Sequence, residues 1–206
     1  FHMDRNVPHV YTDHICDGDF CASVRMKGYK EYIQICGNVE EPYEVQSIKF
    51  GSVPLLKSNL QKCVRRGYAY EGVKTALTLM SLNMSEFLRR LPIIMVEDTV
   101  LHKSFANIVW YMMAVSKGYK LSERQIKYLL GIVYMMCERT HMDVCWFDEN
   151  VLHLKNMQIP KNMYTLLWSM EFRTMYGGMK HDMNMIRYFI RLWLKRGYES
   201  ILSEPR

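Results

Sequence analysis

The stretch KSNLQKCVRRGYAYEGVKTALTLMSLNMSEFLRRLPIIMVED, residues 57–98, decides how this chain folds. Leu55, Leu56, Leu60 and Val64 recur at helical spacing, and Val73, Ala76, Leu77 and Met80 line a second stripe over 71–81. Between them Arg65-Arg66-Gly67-Tyr68 is a helix stop: cations in the last turn, a Gly where the chain turns left-handed, then an aromatic that folds back. Asn83 followed three residues on by Glu86 starts a third helix that carries Phe87, Leu88 and Leu91. Pro92 is expected to kink or interrupt that helix, because proline removes a hydrogen bond and its ring clashes with the preceding turn.

Working outward, the helical period continues to the C-terminus. Helices are expected over 101–117, from Ser122 with Gln125 at the reciprocal capping position, over 163–176 up to Gly177-Gly178, and from Asp182 as cap. The last carries Ile186, Phe189, Ile190, Trp193 and Leu194 on one stripe. Lys117-Gly118-Tyr119 and Arg196-Gly197-Tyr198 repeat the stop at uneven spacing, which is punctuation and not a solenoid repeat. Residues 4–50 differ: Ala22–Met26 and Glu31–Ile35 alternate in polarity around Gly28, which suits a β-hairpin. The expected fold is mainly α, a compact multi-helix bundle of about seven helices over 51–206 with a small β-containing N-terminal appendage. Phe1-His2-Met3 reads as a cloning remnant, which makes the chain a fragment of something longer.

Composition bounds the function. With 206 residues the chain buries a core without metal or disulfide staples, and 49% hydrophobic residues exclude a disordered protein. Seventeen Met fill an irregular core or coat an adaptable binding face, with the core favoured. A net charge of +6 tilts mildly toward an anionic partner, a nucleic acid such as DNA or RNA. No apolar run reaches the roughly 18 residues of a membrane span and no signal peptide is apparent, so no membrane partner and an intracellular location are expected.

Catalytic signatures are missing from the string. Gly67–Thr75 imitates a phosphate-binding loop, but Val73 separates Gly72 from Lys74 and a helix precedes it. There is no Gly-x-Ser-x-Gly elbow, no His-Glu-x-x-His and no deaminase zinc signature. No catalytic residue is assigned; an enzyme with its site in 140–162, where Asp143, Asp148 and Glu149 surround Cys145-Trp146-Phe147, stands as an alternative. His14, Cys16, Cys21 and Cys36 supply enough ligands for a tetrahedral zinc, without the paired-Cys spacing of zinc knuckles; otherwise they are buried thiols and a surface His.

Arg65, Arg66, Arg89 and Arg90 contact phosphates, join an ion-pair network with Glu97 and Asp98, or form solvated helix faces. The expected network is Arg89, Arg90, Glu97 and Asp98, and since adjacent helix residues point about 100° apart, one Arg of each pair faces inward. Lys180, Arg187, Arg191 and Lys195, interleaved with Tyr188 and Trp193, form either a solvated helix surface or a strand-binding face.

At KSNLQKCVRRG and FLRRLPIIMVED the chain resembles the helical C-terminal module of the MgsA/RarA family of AAA+ ATPases, and more distantly the collar domains of clamp loaders. Lys57, Ser58, Arg89, Arg90, Leu91, Glu97 and Asp98 carry that likeness. It implies a non-catalytic module that joins subunits or docks a protein partner beside an ATPase at replication forks, in nucleus or nucleoid. No Walker sequence is present, so ATP hydrolysis is not implied. The expectation is therefore an association module of a DNA replication or repair assembly, with direct nucleic-acid binding as the alternative.

Overall fold

Alternating polarity in the N-terminal segment does produce a two-stranded antiparallel sheet. In the computed structural model, which describes residues 18–26, 32–46, 51–139, 141–142, 159 and 161–196 apart from the side chains of 195 and 196, β1 (Phe20–Arg25) pairs with β2 (Tyr32–Gly37). Val24 stands opposite Ile33 and Ala22 opposite Ile35, which puts the buried residues on one face. On the other, the Gln34 amide donates to the Ser23 hydroxyl at 2.8 Å.

The helices follow the sequence signals closely. α1 (Val53–Arg66) has Pro54 in its first turn, where a missing N–H is harmless, and ends at Gly67 with φ 73°. There the Gly67 and Tyr68 N–H groups donate back to the Val64 and Cys63 carbonyls. α2 (Ala69–Asp98) contains both helices expected from the opening stretch, joined at Asn83, whose φ of −160° and ψ of 92° break the helical path. The Asn83 side-chain oxygen accepts from the Glu86 N–H at 2.9 Å, so a new helical arm starts there. Glu86 does not complete a capping box, because its carboxylate accepts from Lys57 Nζ at 2.6 Å instead.

Of the kink or interruption expected at Pro92, the interruption does not occur. The only described non-helical residue inside α2 is Asn83, and helix continues through Pro92 to Asp98. A proline costs a helix interior about 3 kcal/mol. Burying Ile93, Ile94, Met95 and Val96, all at most 1% exposed, returns about 1.5–3 kcal/mol for each side chain, so packing wins.

α3 (Phe105–Val115) is followed by α4 (Glu123–Glu138), which opens on a complete capping box. The Ser122 hydroxyl accepts from the Gln125 N–H and the Gln125 side chain accepts from the Ser122 N–H at 3.0 Å. After a short 3₁₀ turn, α5 (Tyr164–Tyr176) and α6 (Lys180–Arg196) close the described chain. α6 begins two residues before Asp182, the residue expected as its cap.

α2 is the centre: α1, α3, α4 and α6 all pack on it, while α5 packs between α3 and α6. Its second arm is buried all round from Leu91 to Val96, as a helix without a polar face must be. Gly72 lets α2 and α4 approach, since a Cβ there would lie 2.8 Å from Cys137 Sγ. No described helix is long and apolar enough to cross a membrane.

The hairpin is clamped to the corner between α3 and α4. Gly37 lies flat on Trp110, where a Cβ would come within 2.6 Å of the indole, and Phe20 meets the Tyr119 ring edge-on at 5.0 Å. Tyr119 donates its hydroxyl to the Asn38 carbonyl at 2.8 Å, and the Tyr43 N–H donates to the Leu121 carbonyl at 2.9 Å.

Candidate functional site

Two polar constellations stand out, and the first gathers the opening stretch. Asp98 is 2% exposed in its side chain and accepts from Arg65 Nε and Gln61 Nε2, both at 2.7 Å. Gln61 in turn accepts from the Arg90 guanidinium. Glu97 lies 3.7 Å from Arg65 and 3.8 Å from Arg90, and Asp182 of α6 lies 3.7 Å from Arg90. The hydrogen bond from Arg65 to Asp98 raises the guanidinium pKa above its usual value, so the charge stays fixed. This latch ties α1 to the end of α2 and α2 to α6.

Arg89 stands outside the latch, which corrects its expected membership; Arg65, Gln61 and Asp182 belong to it instead. Arg89 and Arg90 diverge around the helix, so Arg90 meets α1 and α6 while Arg89 lies over the Tyr176 ring, 5.7 Å from its centroid. Arg66 is exposed beside the engaged Arg65.

A buried arginine escaped the sequence reading. Arg173 is 3% exposed and donates to the Gly177 and Arg89 carbonyls, both at 2.9 Å, pinning the end of α5 to α2. Burial, with repulsion from Arg89 second, pulls its pKa down to about 10. No periodic signal marks it, because it interrupts an apolar run.

The cationic face expected on α6 is not an open surface. Lys180 is exposed, but Arg187 and Arg191 are half-buried, and Arg187 donates to Asn184 Oδ1 at 3.4 Å. The Lys195 side chain lies outside the described residues. So do His14, Cys16 and the acidic cluster at Asp143, Asp148 and Glu149. Cys21 and Cys36 face each other across the sheet with their sulfurs 3.4 Å apart. Among the described residues no group of three or more His, Cys, Asp or Glu is placed to hold a metal.

The second constellation is a cleft of about 320 Å³ where the hairpin meets α3 and α4. Asn107, Trp110 and Tyr111 of α3 line it together with Tyr119, with Arg124 and Gln125 of α4, and with Asn38 and Glu40 from the segment after β2. The rings pack against one another, Trp110 lying 5.5 Å from Tyr111 and 5.2 Å from Tyr119 in edge-to-face contact. Gln125 is locked in place: besides its cap bond it donates to the Tyr119 hydroxyl at 2.8 Å. Arg124 pairs with Glu40, which holds the carboxyl below the usual range. Burial pushes the Tyr111 phenol up to about 12.

Fold and geometry together define a helical bundle with a docked β-hairpin, a closed ion-pair latch and one polar cleft among its described residues. The chain matches no family model, and no curated protein or solved structure is significantly similar to it.

Proposed function

We propose that the chain is a non-catalytic association module, self-associating or docking a protein partner, of the collar-like kind found in replication and repair assemblies. The observation that carries this reading is the outer face of α4, where exposed Tyr128, Gly131 and Tyr134 lie in one row. A Cβ at Gly131 would meet no described atom within 4 Å, so the described fold gives no packing reason for a glycine that costs a helix interior about 1 kcal/mol. A partner's backbone approaching between two tyrosines supplies one, and tyrosine is enriched at such contacts. Light-scattering mass across a concentration series tests it: growth beyond the monomer that Tyr134→Ala reverses is expected, and a monomer at every concentration, with no partner retained, overturns it.

The alternative, direct nucleic-acid binding, draws on the net charge of +6 and on Arg66 and Lys180, which are exposed. Binding to labelled DNA would then weaken steeply with salt as counterions are released. For a structural zinc on His14, Cys16, Cys21 and Cys36, metal analysis of the purified chain decides, and substoichiometric zinc ends that reading.

A further inference from the structure

We infer that the cleft between the hairpin and α3–α4 is a binding site for a single neutral, planar, hydrogen-bonding ring of the nucleobase class. The inference does not rest on the association reading, although Asn107 of the cleft donates to Tyr128 of that α4 face.

Its chemistry is set by what the cleft groups have left to offer. The Trp110 indole N–H and the Tyr111 hydroxyl make no hydrogen bond to another described residue, although both line the cleft. Asn107 donates its amide N–H to the Tyr128 hydroxyl at 2.8 Å, which leaves its carbonyl oxygen as an acceptor. The Asn38 carboxamide has no hydrogen bond to a described residue, its backbone carbonyl alone being held by Tyr119. A donor on Trp110, a donor or acceptor on Tyr111, an acceptor on Asn107 and both on Asn38 thus belong to residues that line one cleft.

That mixture selects among ligand classes. A phosphate or carboxylate wants donors alone and would face the Glu40 carboxylate and the Asn107 oxygen. A quaternary ammonium needs aromatic rings spread around a void, whereas rings with centroids 5.2 and 5.5 Å apart fill one another's faces. Nucleobases present adjacent donors and acceptors on one edge, the pattern that carboxamides match in paired contacts. About 320 Å³ lies at the small end of ligand sites, room for one such ring and not for an oligomer. With its phenol pKa near 12, Tyr111 stays a neutral donor and acceptor throughout the physiological range.

The base can arrive as a free nucleoside or at an unpaired position of a strand. Titration of the full chain with each of the four ribonucleosides, and with a short single-stranded oligonucleotide, followed by the Trp110 indole N–H resonance, separates the two. Saturable binding of at least one nucleoside is expected, unchanged between low and high salt because no phosphate is involved. Tyr111→Phe is expected to weaken it about tenfold, the loss of one hydrogen bond. Tighter binding of the oligonucleotide through the same resonance assigns the base to a strand, and equal or weaker binding assigns it to a free nucleoside. The inference is overturned if no probe saturates, if only salt-dependent oligonucleotide binding appears, or if Tyr111→Phe and Asn107→Ala, both folded by circular dichroism, bind as the parent does.

Discussion

The latch on α1 and α2 and the cleft beside the hairpin each hold an arginine–carboxylate pair and a locked glutamine, yet they end in opposite states. At the latch, Asp98 is filled by Arg65 and Gln61, Gln61 by Arg90, and Arg90 is shared between Glu97 and Asp182. In the cleft, Gln125 and Arg124 are committed to positioning their neighbours, while Trp110, Tyr111 and Asn38 keep polar capacity unused among the described residues. Saturation, and not residue type, separates a strut from a receptor: a buried polar group already matched has nothing to give a ligand.

The contrast breaks most visibly at Asp98. Asp98→Ala removes two charge-assisted or polar bonds at a buried acceptor, and a loss of about 3 kcal/mol is expected in urea unfolding, at the low end of the range for fully buried pairs because Arg65 is 55% exposed. A loss under about 1 kcal/mol would erase the distinction between the two regions. Gly72→Ala, which thrusts a methyl to 2.8 Å from Cys137 Sγ, should cost about 2 kcal/mol in the same assay by overpacking α2 against α4. A neutral result there would mean that the helices slide apart easily.

Acid should act at the start of α3, away from the cleft. His102 at the start of α3 has its pKa lowered by burial first, then by Arg139 and Lys103, and its Nδ1 accepts from the Ser104 N–H at 3.2 Å. A lowered pKa favours the neutral ring in the fold, so the unfolded chain binds more protons below its ordinary value. Stability is thus complete above about pH 6.5 and declines as the pH falls toward the folded value. Hydrogen exchange should show α3 loosening before α1 over that window, and His102→Gln should flatten the pH dependence. The smallest effect is expected for Arg66→Ala, within about 0.5 kcal/mol, since Arg66 is exposed where Arg65 is engaged. A larger loss would place Arg66 in the latch.

Short-range signals were legible in the string. Ser122 with Gln125, Gly67 after two arginines, and Asn83 before Glu86 each act within three residues, and each marks a helix end in the structure. Pro92 does not interrupt its helix because its local penalty is outweighed by a core that only the assembled helices create. The latch pairs residues 33 and 37 positions apart, so the sequence held the charges but not which of Arg89 and Arg65 would reach them. The cleft was invisible for the same reason: Asn38 and Tyr119 meet across 81 positions, and no periodicity encodes a gap between elements.

The irregular residue Asn83 also resets the phase of the long helix. An unbroken helix of 30 residues would transmit any shift in numbering along its whole length, each added residue rotating the downstream turns by about 100°. With its own start at Asn83, the second arm keeps an independent rotation, so one extra residue at 82–83 can be absorbed at the joint. The same insertion at 90–91 would swing Glu97 and Asp98 away from α1. Length variation in relatives of this chain should therefore collect at the joint and avoid the arm beyond it.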